Sequence, residues 1–151
     1  MILIRHPGVL PAHPIAGVAL RPPVVADTPA LARLYCAAYD PGIASTTEQE
    51  ALEDIQLTFD GGYGVLDPDV SRLAWAGDEL VGAILVVERA PWPDTPDCRF
   101  IIELFTARAY RRRGIARLLL SACADTTVAL RVDEHNAPAI TLYQAAGFQP
   151  G

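Results

Sequence analysis

Phe100-Ile101-Ile102-Glu103-Leu104-Phe105-Thr106, followed four residues later by Arg111-Arg112-Arg113-Gly114-Ile115-Ala116, is the stretch that decides how this chain folds. The first run is rich in β-branched and aromatic residues and reads as a strand. The second opens an apolar-periodic helix over Ile115 to Ala124. A strand that passes through an Arg- and Gly-rich loop into a helix start builds an anion cradle. Successive backbone N–H groups point at one spot, the helix dipole favours negative charge there, and Gly114 lets a ligand approach the backbone closely. A phosphate or pyrophosphate is the natural guest.

Two familiar phosphate loops are excluded at once. A Walker loop needs Gly-Lys-Ser/Thr, and the chain has no lysine. A dinucleotide fingerprint needs Gly-x-Gly-x-x-Gly between a strand and a helix, whereas Gly62-Tyr63-Gly64 continues into Val65-Leu66-Asp67 without the third glycine. Downstream of the cradle a second pattern appears. After the strand-like run Val128 to Val132 come Asn136, Ala139, Leu142-Tyr143 and Gly147-Phe148.

These two ordered motifs resemble the GNAT superfamily of acyl-CoA-dependent N-acyltransferases, whose diphosphate loop reads Arg/Gln-x-x-Gly-x-Gly/Ala, here Arg111, Gly114 and Ala116. The resemblance covers Phe100 to Phe148. It implies an α/β fold with a mixed, mostly antiparallel central sheet flanked by helices, and an N-acetyltransferase that takes acetyl-CoA (coenzyme A) as cosubstrate, with no metal. The backbone of Arg112, Arg113, Gly114, Ile115 and Ala116 would bind the pyrophosphate, with arginine side chains, Arg111 among them, adding charge-assisted bonds. Leu104, Phe105 and Thr106 would give main-chain contacts to the pantetheine arm, inserted like an extra strand, and one amide there would stabilise the developing oxyanion. Asn136 fits a pantetheine contact, although Asn136-Ala137-Pro138 also reads as a helix cap. Tyr143 matches the family's general acid, which reprotonates the departing thiolate.

The attacking amine also has to lose a proton. Glu103, inside the strand that lines the cleft, is the best placed acid. Many family members carry a glutamate on the next strand instead, where this chain has Arg131 followed by Asp133 and Glu134. His135 offers an imidazole but sits in a loop, where it is as readily a surface residue, and His6 and His13 lie near the amino terminus without metal spacing.

Composition bounds the rest. The 151 residues make one domain, able to bury roughly two thirds of the surface of the unfolded chain, with residues 1–15 as an amino-terminal arm. No apolar run reaches the roughly 18 to 20 residues of a membrane span, and Met1 to Arg5 is too brief for a signal peptide, so a cytoplasmic location without membrane contact is expected. Cys36, Cys98 and Cys123 form no paired motif and read as reduced and structural. From Asp27 to Cys98 there are fourteen acids against three Arg, while Arg99 to Arg117 has six Arg against Glu103. The acidic remainder would repel a nucleic acid. It suits a cationic acceptor, a small-molecule or peptide amine.

The element pattern reads βααβββαβα. Strand Val18 to Arg21 is followed by a helix starting at Asp27-Thr28-Pro29 and running to about Tyr39, then by an acidic helix over Thr46 to Phe59. A hairpin joins Ser71–Ala76 to Glu79–Glu88 through Gly77-Asp78, and a final helix over Ala137 to Ala146 closes at Gly147. Family members usually continue past Gly-Phe through one or two more strands, so the sheet is expected to lack its last strands. Residues 1–15, or a second subunit in a homodimer, would then cover the open edge. A non-catalytic acyl-CoA-binding or protein-interaction module is the rival to the enzyme.

Overall fold

Glu79–Val87 has one exposed residue, Glu79, followed by eight buried ones, so the strand it forms has to be covered on both faces. The computed structural model, which describes residues 1–38 and 47–151, places it inside a seven-stranded sheet. In chain order the elements are β1 (Ile2–Arg5), β2 (Val18–Arg21), α1 (Thr28–Ala38), α2 (Glu48–Phe59), β3 (Arg72–Ala76), β4 (Glu79–Val87), β5 (Arg99–Thr106), α3 (Ile115–Leu120), β6 (Val128–Arg131), α4 (Ala137–Ala145) and β7 (Gln149–Pro150). Across the sheet the order is β2-β3-β4-β5-β6-β1-β7, and all pairs are antiparallel except β5 with β6. The fold is the mixed, mostly antiparallel α/β architecture expected from the sequence.

Alternation along β4 divides the core. Ala83 and Leu85 pack with Leu31, Tyr35, Ala51 and Ile55 of α1 and α2, while Ile84 and Val86 pack with Ile115, Leu119 and Leu120 of α3 and with Phe148. Each of the buried Leu, Ile, Val and Phe side chains among them contributes about 1.5–3 kcal/mol relative to exposure. Gly82 sets how closely α3 approaches. A Cβ there would stand 2.9 Å from Ile115 Cγ2 and 3.2 Å from Leu119 Cδ1.

The element order read from sequence lacked β1 and β7. Four apolar-rich residues carry too little periodicity to announce a strand, and the partner of β1 lies at the far end of the chain. The expected cover for the sheet edge is nonetheless supplied by the amino-terminal segment. Strand β1 lies between β6 and β7, paired from Ile2↔Arg131 to Arg5↔Val128, with Leu3 fully buried.

Arg5 fastens this arrangement. It is 5% exposed, and its Nε donates to Ala146 O at 2.7 Å at the end of α4. Its two terminal nitrogens reach His6 O, Ala124 O, Gly8 O and Val9 O at 3.0–3.3 Å. Gly147, with φ 94°, leaves room for the guanidinium, since a Cβ there would come within 3.3 Å of Arg5 Nε.

Local differences have simple causes. The Asp27 carboxylate turns back onto β2, accepting both terminal nitrogens of Arg21 at 2.8 and 3.0 Å and the Val24 amide at 2.8 Å. Burial alone would raise its pKa, but these donors hold it below the usual carboxylate value. Thr47 caps α2 by accepting the Glu50 amide. The expected helix ends Tyr39 and Thr46 lie outside the described residues. Helix α3 stops at Leu120 and tightens into a 3-10 turn over Ser121–Cys123.

Candidate functional site

Strands β5 and β6 pair from Arg99↔Val128 only as far as Ile101↔Leu130, yet β5 continues to Thr106. Its last five residues therefore border a gap in the sheet, with no β6 partner among the described residues. The Ala107 amide donates to Val81 O at 2.8 Å, so by alternation Phe105 and Glu103 also direct their main chain toward β4. Leu104 and Thr106 direct theirs into the gap. Of the three residues expected to give main-chain contacts, two present N–H and C=O there, while Phe105 is buried against Tyr35 at 5.7 Å, edge-on.

At the end of β5 the chain enters the Arg-rich loop. Arg112 has φ 63° and Gly114 φ 84°, so the backbone takes two left-handed steps before α3. Such turns curl successive N–H groups around one point. The helical ladder begins with the Leu118 amide on Gly114 O at 3.0 Å, which leaves the amides of Ile115 and Ala116 without a partner inside α3. Nothing lies within 4 Å of the position a Gly114 Cβ would take, so the space over the loop is open. The side chains act differently from the backbone. Arg111 donates to Ala38 O at the end of α1, Arg113 lies over the Tyr110 ring at 4.9 Å, and Arg117 ties Pro11 O at 2.7 Å.

Tyr143 and Glu103 stand on opposite sides of the sheet. Tyr143, on α4, packs with the α3-side core and lies edge-on to Phe148 at 5.7 Å. Burial raises its phenol pKa, and the Glu103 charge adds to the rise, so the two groups sense each other. Glu103 pairs with Leu85 and so lies on the α1/α2 face. A β-bulge at Ile102, between the Val86↔Ile101 and Leu85↔Glu103 pairs, sets its aim, and nothing in the sequence announced that bulge. Asn136 caps α4, its Oδ1 accepting the Ala139 amide at 3.2 Å, so capping leaves its NH2 end as a donor.

Residues that the sequence reading passed over meet on the Glu103 side. Asp54 of α2 accepts the Tyr63 hydroxyl, and the Tyr35 phenol, raised in pKa by burial and by the Glu103 charge, also senses Asp54. Trp92 lies 6.3 Å from the Tyr63 ring and 6.0 Å from Phe100. It helps line a groove of about 490 Å³ with Phe100, Ile101 and Ile102, where β5–β6 pairing ends. Arg131 borders the same groove and is held by Asp94 at 2.9 Å. The legible signal was Asp54 itself, which falls on the inward stripe of α2 formed by Ala51, Ile55 and Thr58.

The family model described as Acetyltransferase (GNAT) family matches residues 29–148. None of the curated proteins matches the chain in sequence. Among solved structures the chain is similar to PH1933 from Pyrococcus horikoshii OT3, with 20% identity, a TM-score of 0.71, and 89% of this chain and 90% of that one covered. It is similar to AAC(6')-Iy in complex with a bisubstrate analog, CoA-S-monomethyl-acetylneamine, at 19% identity and TM-score 0.65, covering 88% and 91%. The ribosomal-protein-S18-alanine N-acetyltransferase from Escherichia coli follows at 17% identity and TM-score 0.65, covering 89% and 79%.

Proposed function

The chain belongs to the GNAT family of acetyltransferases, and from that premise we propose that it moves an acetyl group from acetyl-CoA to a primary amine by direct attack. The gap between β5 and β6 carries the reading, because it leaves strand-edge donors and acceptors at Leu104 and Thr106 for an extended amide-bearing arm. The curled backbone from Arg112 to Ala116 would hold the pyrophosphate at the end of that arm. Acetyl-CoA itself supplies the activated thioester. Arg111 shapes the cradle by holding the end of α1, and Asn136 would offer its NH2 end to the arm.

Glu103 and Tyr143 then divide the proton work. Glu103, on the α1/α2 face, takes the proton the amine must lose, and Tyr143, on the α3 face, returns one to the departing sulfur. Its raised phenol pKa keeps Tyr143 protonated at neutral pH, as a donor must be. The neighbours include enzymes for an aminoglycoside and for an alanine of a ribosomal protein, and only the shared group, an amine, is carried over here. The acidic stretch from Asp27 to Cys98 favours a cationic amine, small-molecule or peptide, in a cytoplasmic setting. Among the described residues no helix is long and apolar enough to cross a membrane.

Thiol release from acetyl-CoA across a panel of primary amines tests the reading. Tyr143→Phe should lower kcat about 100-fold while leaving the Kd for acetyl-CoA unchanged. Equal rates in the two proteins would remove Tyr143 from the chemistry. Binding of acetyl-CoA with no amine turned over would favour the non-catalytic module.

A further inference from the structure

Large apolar side chains scattered singly over a surface are ordinary. Trp92, 39% exposed, is placed differently. Pro91 and Pro93 flank it and restrict its backbone, since a proline fixes its own φ and biases the residue before it toward extended conformations. Its carbonyl accepts the Thr95 hydroxyl at 2.6 Å and the Thr95 amide at 3.3 Å, which closes the loop on itself. Asp94 of the same loop accepts Arg131 Nη2 at 2.9 Å, fastening the loop to the end of β6. The indole is thereby held edge-on to Phe100 and tilted against Tyr63. A braced loop thus keeps an aromatic face open beside the groove of about 490 Å³, a size within the roughly 300–1,000 Å³ of small-molecule sites.

The position of the groove gives it a use. Phe100 pairs with Ala129 across β5 and β6, and the pairing ends one residue further on. Ile102 packs with both the Phe100 cluster and the α1/α2-side core, so the groove adjoins the face that carries Glu103. Leu104, whose main chain turns into the gap, lies two residues beyond Ile102, roughly 7 Å along the strand. An aryl ring joined to its nitrogen by a short alkyl link covers about that span. The groove is apolar along Phe100, Ile101 and Ile102, and its charged residues, Arg131 and Asp94, answer each other. The far ammonium of a diamine or polyamine would be brought up against the Arg131 guanidinium, whereas an aromatic ring meets the indole. Resting on the acetyltransferase reading, we propose that the groove holds the aromatic body of a monoamine acceptor against Trp92, with the amino group at the β5–β6 gap, and that Trp92 sets this specificity.

The experiment uses the full chain saturated with coenzyme A, with 2-phenylethylammonium and ethylammonium chlorides as probes and affinities read by ligand-observed NMR. Wild type should bind the aryl probe at least about tenfold more tightly. Trp92→Ala should lower that ratio about tenfold, Trp92→Phe should keep part of it, and coenzyme A affinity should be equal in all three proteins. A merely structural Trp92 would lower the melting temperature and leave the aryl-to-alkyl ratio alone, which would overturn the inference. Should Trp92→Ala fail to fold, the wild type still decides. The chain has two tryptophans, and Trp75 lies away from the groove on β3 with Arg21 over its ring. The aryl probe should move the indole N–H signal of Trp92, identified from Trp92→Phe, and leave that of Trp75 in place; a Trp92 signal that does not move overturns the idea equally. A wild-type protein that binds coenzyme A without preferring the aryl probe overturns this inference alone. One that fails to bind coenzyme A overturns the acetyltransferase reading and this inference with it.

Discussion

Replacing Arg5 by methionine keeps most of the aliphatic stem and removes all five hydrogen bonds that its guanidinium makes. The costs of these losses are unequal. Gly8 and Val9 are exposed, so their carbonyls can be rehydrated, and Ala124 O keeps the Gly8 amide at 2.9 Å. Ala146 is 2% exposed, and its carbonyl loses a 2.7 Å charge-assisted bond, which costs about 2 kcal/mol. With the weaker contacts added, and some desolvation of the guanidinium recovered, the expected loss is about 3 kcal/mol. That is a large share of the roughly 5–15 kcal/mol of a typical domain. Urea unfolding should show a lower midpoint at an unchanged slope. Arg5→Lys, with one ammonium to divide among these carbonyls, should fall between the two. A loss below about 1 kcal/mol for Arg5→Met would refute the view that this side chain fastens β1.

Two further outcomes follow from the same geometry. Gly82→Val drives a side chain into Ile115 and Leu119, so α3 and its cradle should shift, with about 1–3 kcal/mol of stability lost and acetyl-CoA affinity reduced roughly tenfold by calorimetry. Unchanged affinity would separate the cradle from the packing of α3. The Asp27 pKa lies below its unfolded value of about 3.9, so its contribution is present above that pH and is lost as pH falls through the folded pKa. Asp27→Asn should therefore shallow the acid limb of the stability profile measured by urea titration, and a limb of unchanged slope would contradict the assignment.

The parts of the fold legible in sequence were those whose signal is local. β4 showed itself as a long apolar run, Gly77-Asp78 as a hairpin turn, and Gly147 as the stop of α4 at φ 94°. What stayed hidden depends on distant partners. The value of β1 lies in its pairing with β6, and β7 is only two residues long. In the candidate site, the loop and the strand before it were legible because glycine, arginine and a strand-to-helix switch act locally. The sequence did not tell which of Leu104, Phe105 and Thr106 turn their main chain into the gap; the register with β4 decides that. Nor did it tell that Arg111 spends its guanidinium on Ala38, since helix α1 is far from it in the chain. Asp54 was read as one more charge on an acidic helix, although its spacing from Ala51 and Ile55 marked it as facing inward.

Calorimetric titration of acetyl-CoA into the wild-type chain and into Gly114→Val tests the central claim most directly. Gly114 lies at φ 84° beneath open space, so a valine there is strained and fills the approach to the loop amides. One site per chain is predicted, with a Kd of roughly 10 μM in the wild type, weakened at least about tenfold in the variant, whose melting temperature should fall by several degrees through the backbone strain while unfolding stays cooperative. No binding to the wild type, or the same Kd in both proteins, would contradict it.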